Sequence, residues 1–132
     1  MSALAADLWS RSLDALRVAR RVVSLSPDSA AASAYYAAFY AVSAHFALSG
    51  RTFRKHSAVE AAFHRDLVKK EGWPTHLGSA YSHLTQLREV GHYGGTKHVP
   101  LDEAGSAIDL ATDIVRAVAE AHPDAFTGLP PK

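Results

Sequence analysis

The segment that most constrains the fold is 27–49, which is apolar on almost every side of a predicted helix. Ser26-Pro27-Asp28 opens it with a capping serine, a proline suited to the first helical position and an acid near the positive end of the helix dipole. Gly50 predicts its end. A helix this apolar is central and packed on several sides, or partly covered by a partner chain. Its apolar residues include Tyr35, Phe39, Val42 and Phe46 on one stripe, with Tyr36, Tyr40, Ala44 and Ala47 beside it.

Glycine and proline divide the rest of the chain into four further helical segments and leave no strand pattern. With 132 residues the chain has the size of one domain. We predict an all-α protein, an antiparallel up-and-down bundle of four to five helices, with one domain over 1–122 and a flexible tail over 123–132. The further helices are expected at about 3–25, 56–71, 75–93 and from 101 onward.

Two of these helices carry clear apolar stripes at three- and four-residue spacing, as expected for packing in a bundle. In the first helix the stripe comprises Leu4, Leu8, Trp9, Leu16, Ala19 and Val23, and in the last it comprises Leu101, Ala104, Ile108, Ala111, Val115 and Val118.

Composition excludes several classes of function. The chain has no cysteine, which rules out disulfide frameworks, cysteine zinc sites and thiol catalysis. The net charge of +1 argues against a strongly basic nucleic-acid protein. The charge is nevertheless uneven, because residues 1–100 are modestly basic and residues 101–132 are acidic. The short basic clusters before residue 100 are either phosphate contacts or an ordinary solvated surface.

The sequence predicts a cytoplasmic protein with no membrane association. No stretch approaches the roughly 18 apolar residues that a membrane span needs, and the N-terminus lacks the pattern of a signal peptide.

The fourth helix carries the residues that are most informative about chemistry. Its apolar stripe of Leu77, Tyr81 and Leu84 continues into Arg88 and His92, which share a face if the helix persists through the glycine between them. An arginine can hold a phosphate and stabilise the charge of its transition state, and a histidine can transfer a proton near neutral pH. The alternative is an arginine reaching solvent from the bundle end and a histidine capping the helix.

Four further residues are candidate binding groups near this end of the bundle: Lys55, His56, Lys97 and His98. His56 either caps the third helix or joins the basic cluster that precedes it in the chain. No metal and no cofactor are predicted, because His76 and His83 are two turns apart with no evident third ligand.

From about residue 26 to residue 121 the chain resembles the HEPN superfamily of small helical bundles, especially its short single-domain members. The matching features are the segment 33–41 (SAYYAAFYA), Gly50 followed by Lys55-His56, and an acid-led last helix from Asp102. The fourth helix adds Leu84, Leu87-Arg88 and His92-Tyr93 in the matching order.

The resemblance implies a homodimer in which the arginine and histidine helices meet in a composite cleft. Active members are metal-independent endoribonucleases that leave a cyclic phosphate, and many are toxins of toxin–antitoxin or phage-defence systems beside a small nucleotidyltransferase. Arg88 would then be the phosphate clamp, His92 the proton-transfer residue and Tyr93 a nearby phenol.

The chain departs from that pattern in its spacing. Active members place four to six residues between the arginine and the histidine, whereas here three intervene, and Tyr93 directly follows His92. Enzymatic activity therefore stays open. The alternatives are a non-catalytic module that binds a nucleotide or a nucleotidyltransferase antitoxin partner, and a helical scaffold without a site.

Overall fold

The computed structural model describes residues 2–130, and within this range all regular structure is helical. This confirms the predicted all-α bundle, and the predicted helices agree with the observed ones to within a few residues at each end. The helices are α1 (Ala3–Val22), α2 (Pro27–Ala47), α3 (His56–Ala62, continued by the π-helical turns Phe63–Lys70), α4 (Thr75–Tyr93) and α5 (Leu101–Ala121).

Local chemistry accounts for both ends of α2. The Ser26 hydroxyl accepts a hydrogen bond from the backbone N–H of Ser29 at 3.2 Å, and Pro27 occupies the first turn. At the other end, Gly50 adopts a φ of 79°, a left-handed conformation that disfavours side chains larger than hydrogen, and the chain turns there.

Helix α2 is the centre of the bundle. It packs against α1, α4 and α5 and touches α3. Its alanines allow these neighbours to approach closely, while Tyr35, Val42 and Phe46 fill the larger spaces between helices. The apolar surface around α2 is thus covered mainly by helices of the same chain, which confirms the interpretation of a central helix.

The apolar stripes of α1 and α5 face the core, except at their first residues. Leu4 and Leu101 are 47% and 55% exposed, because each lies in the first turn of its helix, beyond the edge of the core. The remaining stripe residues of α5 are buried, and so are Trp9, Leu16 and Ala19 of α1.

An aromatic residue anchors the chain after α5. Phe126 is only 2% exposed and stacks on Trp9, with the ring centroids 4.9 Å apart. The indole N–H of Trp9 donates to the carbonyl of Thr127 at 2.8 Å. The segment expected to be a flexible tail therefore begins with a side chain packed against α1, and residues 131 and 132 lie outside the described range.

None of the helices in residues 2–130 combines the length and the apolar character needed to cross a membrane.

Candidate functional site

A cleft of about 360 Å³ lies where the start of α3 meets α4 near the middle of α2. The buried stripe of α4 directs Arg88 toward it, because Tyr81 and Leu84 on the same face fix the rotation of the helix against the core. The side chains lining the cleft are Tyr35, His56, Ser57, Glu60, Thr85, Arg88 and Glu89.

Arg88 is held by tyrosines. Its Nη2 donates to the Tyr36 hydroxyl at 3.2 Å, and its Cζ lies 5.0 Å and 5.4 Å from the ring centroids of Tyr35 and Tyr36. Its Nε is buried and has no hydrogen-bond partner among the described residues, an arrangement that costs free energy until an acceptor is supplied. The guanidinium is therefore a pre-oriented donor suited to an anion such as a phosphate.

His56 lies in the same cleft as Arg88. Its ring centroid is 4.2 Å from that of Phe39 and about 6 Å from those of Tyr35 and Tyr36. Burial, and secondarily the positive charge of Arg88, lowers the pKa of His56. A neutral imidazole beside a guanidinium can accept a proton from a hydroxyl that approaches the bound anion.

Tyr35 contributes a neutral phenol to this cluster. Burial raises its pKa to about 12, so the hydroxyl keeps its proton at physiological pH. Besides packing in or against the core, Tyr35 and Tyr36 thus hold Arg88 in place.

His92 and Tyr93 follow Arg88 in the last turn of α4 and do not line the cleft. Helix α4 continues through Gly91 to Tyr93, so Arg88 and His92 are one helical turn apart, as the sequence suggested. His92 is exposed and does not line the cleft, and its ring packs edge-on to Tyr93 at 5.7 Å. Tyr93 is 71% exposed, yet its ring centroid is 5.9 Å from the guanidinium carbon of Arg88.

The other candidate binding residues lie elsewhere. Lys55 and Lys97 are exposed and line none of the described cavities. The Nδ1 of His98 lies 2.6 Å from the Asp28 carboxylate, which also accepts the Val99 N–H at 2.7 Å. These hydrogen bonds, that of His98 first, lower the pKa of Asp28. His98 thus ties the α4–α5 connection to the start of α2.

Glu60, Ser82 and Thr85 form a polar network that sequence reasoning missed. Glu60 accepts from the hydroxyls of Thr85 at 2.7 Å and Ser82 at 3.1 Å, and it also lines the cleft. The one available signal was that Glu60 lies four residues after His56, which places both on one face of α3.

Within residues 2–130, no three histidine or acidic side chains converge as a metal site would require.

The fold and the site define a class of protein. It is a helical bundle with an arginine and a histidine in a cleft beside its central helix. Comparison with known families identifies it further. The HEPN domain family model matches residues 5–121, and the chain belongs to the HEPN family. It is also similar to a UPF0332 protein of Thermotoga maritima, with 45% identity over 60 residues. That alignment covers 46% of this chain and 46% of the relative, so it spans about half of each protein.

Proposed function

We propose that this HEPN protein binds RNA at the Arg88 cleft and cleaves its backbone. The observation that carries the proposal is the pairing of Arg88 with His56: a guanidinium held by tyrosines, with no carboxylate paired to it among the described residues, lies beside an imidazole whose pKa is lowered. An anion-binding group next to a proton acceptor is the minimum that phosphodiester cleavage needs when the nucleophile belongs to the substrate.

The ribose 2′-hydroxyl supplies that nucleophile. Its oxygen forms a bond to phosphorus while the bond from phosphorus to the 5′-oxygen of the next nucleotide breaks, leaving a 2′,3′-cyclic phosphate and a free 5′-hydroxyl. His56, in its neutral form, takes the proton of the 2′-hydroxyl, and His92, one helical turn after Arg88, donates a proton to the leaving 5′-oxygen. Arg88 binds the phosphate and stabilises the charge that develops on its oxygens, with Tyr93 as a neighbouring phenol.

We further propose that two copies pair through the exposed end of α4, so that His92 and Tyr93 of both protomers border one composite cleft. The exposure of Tyr93, at 71%, supports this arrangement because a large aromatic side chain favours burial. Static light scattering at the protein concentration of the cleavage assay tests it, and a monomer that cleaves RNA at full rate would refute the composite cleft.

The cleavage proposal is tested by RNA degradation in the presence of EDTA, with formation of the cyclic phosphate as the readout. We expect Arg88→Ala to lower the rate by about 100-fold or more, and both His56→Ala and His92→Ala to lower it by a similar factor. His76→Ala is the matched control, since His76 is exposed on the first turn of α4, away from the cleft. Cleavage by Arg88→Ala at the wild-type rate would overturn the proposal.

A second candidate function is a non-catalytic module that binds a nucleotide or a nucleotidyltransferase-type antitoxin. The same exposed pair, His92 and Tyr93, favours it, because both side chains are open to a partner at the end of α4. A nucleotidyltransferase gene beside this one, together with a purified complex that Tyr93→Ala weakens, would support the module. A protein that neither binds nor cleaves RNA and has no such neighbour would be a helical scaffold. A toxin–antitoxin role and a phage-defence role would both operate in the cytoplasm, which is the location that the sequence predicts.

A further inference from the structure

A second cavity of about 480 Å³ lies along α4 on the N-terminal side of Arg88. The proposed mechanism does not use it. His64 contributes one wall from the π-helical part of α3, and Ser79, Ser82, His83 and Gln86 contribute the opposite wall from α4. We call this cavity the α3–α4 groove. The two cavities are linked by hydrogen bonding, because Ser82 lines the groove and donates to Glu60, which lines the cleft.

Two features of the chain leave room for the groove and orient His64 in it. A Cβ added to Gly78 would lie 3.0 Å from Nδ1 of His64, so the glycine leaves the space that the imidazole occupies against α4. The Nε2 of His64 lies 3.2 Å from the Ser82 hydroxyl and 3.4 Å from the Glu60 carboxylate. These contacts fix the ring at the groove, and π-helical turns such as those carrying His64 are frequent at functional sites.

The remaining polar side chains of the groove are available to a ligand. Within residues 2–130, Ser79, His83 and Gln86 form no side-chain hydrogen bond, and Ser79 and Gln86 are exposed. A glutamine amide offers one donor and one acceptor side by side, which is the pattern that pairs with N6 and N7 of adenine. Imidazoles provide flat faces on which an unstacked RNA base can rest.

We propose that the α3–α4 groove binds an adenine base, with Gln86 hydrogen-bonded to its edge and the imidazoles of His64 and His83 on either side. The phosphate of the adjacent nucleotide then lies at Arg88. Gln86 and Arg88 point to different sides of α4, and the groove and the cleft meet at Glu60, which accepts a hydrogen bond from Ser82 of the groove wall and lines the cleft with Arg88. This inference rests on the proposed function, because it uses the phosphate site at Arg88.

Titration of the full chain with AMP and with UMP, followed by NMR chemical shifts, tests the groove without depending on cleavage. We expect AMP to bind about tenfold more tightly than UMP, since one bidentate pair discriminates bases by about that factor or more. Gln86→Ala should remove the preference and leave UMP binding unchanged. Arg88→Ala should leave the preference for AMP over UMP intact, and His76→Ala should leave the binding of both nucleotides unchanged.

Binding of oligoribonucleotides that carry a single adenosine among uridines distinguishes two possible ligands of the groove: an adenine base within RNA and a free adenine nucleotide. If the groove reads the RNA substrate, Gln86→Ala abolishes preferential binding of the adenosine-containing strand. A Gln86-dependent preference for AMP alone would mean that the ligand is a free adenine nucleotide.

The two proposals fail separately. A Gln86-dependent adenine preference without cleavage would keep the base site and refute the ribonuclease. Cleavage with equal AMP and UMP binding, or with a preference that Gln86→Ala leaves intact, would overturn the base site and keep the ribonuclease.

Discussion

At Gly91 a single added methyl group has a predictable effect on stability. A Cβ built there would lie 2.7 Å from the carbonyl oxygen of Asp28 and 3.3 Å from its carbonyl carbon. These are backbone atoms of the first turn of α2, so no side-chain rotation can relieve the contact. Helix α4 must move away from α2, and the movement strains the hydrogen bonds that the Asp28 carboxylate accepts from the Val99 N–H and forms with Nδ1 of His98.

The expected loss of stability for Gly91→Ala follows from one gain and two costs. Replacing a helical glycine with alanine gains about 1 kcal/mol. Overpacking costs about 1–3 kcal/mol, and weakening the Asp28 hydrogen bonds adds about 1 kcal/mol. The free energy of unfolding should therefore fall by about 2 kcal/mol, measured by urea denaturation followed by circular dichroism.

Gly105→Ala is the matched control in α5. A Cβ at Gly105 meets no atom within 4 Å, so only the propensity term applies and stability should rise by about 0.5–1 kcal/mol. The two glycine substitutions should thus change the free energy of unfolding in opposite directions. A Gly91→Ala protein as stable as the wild type would refute the argument that close helix approach requires glycine there.

Three further outcomes follow from contacts outside the cleft. Phe126→Ala should cost about 3 kcal/mol and change the fluorescence of Trp9, on which the ring stacks; unchanged stability would contradict an anchored segment. Burial, and secondarily His122, lowers the pKa of His45 to about 4, below its unfolded value near 6.5. The stability that His45 contributes is therefore complete above pH 6.5 and is lost as the pH falls toward 4, and urea midpoints of the wild type and His45→Gln should converge in acid. Asp28→Ala should lower the urea midpoint most at neutral pH, because its stabilising hydrogen bonds require the ionised carboxylate, and a pH-independent loss would argue against that origin.

Much of the fold was predictable from residues close together in the chain. Ser26 and Pro27 predict the start of α2, and Gly50 predicts its end, because capping and left-handed turns depend on one or two residues each. The apolar surface around α2 predicts a central helix, because the residues that share a helix face follow from the helical period, which is a local property. The stripe of α4 that leads into Arg88 follows from the same wheel geometry.

The candidate site was only partly predictable. The sequence indicated Arg88 from its place on α4, but no local pattern showed that Tyr36 would hold its guanidinium from 52 residues earlier in the chain. Nor did the sequence show that His98 would be engaged by Asp28 instead of a ligand. Such contacts depend on how α2 and α4 are rotated and how closely they cross.

The amino-acid sequence by itself determined which segments are helical, which faces are apolar and that an arginine lies at the end of an apolar stripe. Tertiary structure alone decided that His56, rather than His92, lines the cleft with Arg88, and that Phe126 is packed against Trp9. The physical reason is that helix formation and amphipathicity are set within a few turns of chain. The neighbours of a side chain across a helix interface depend on the positions of both helices.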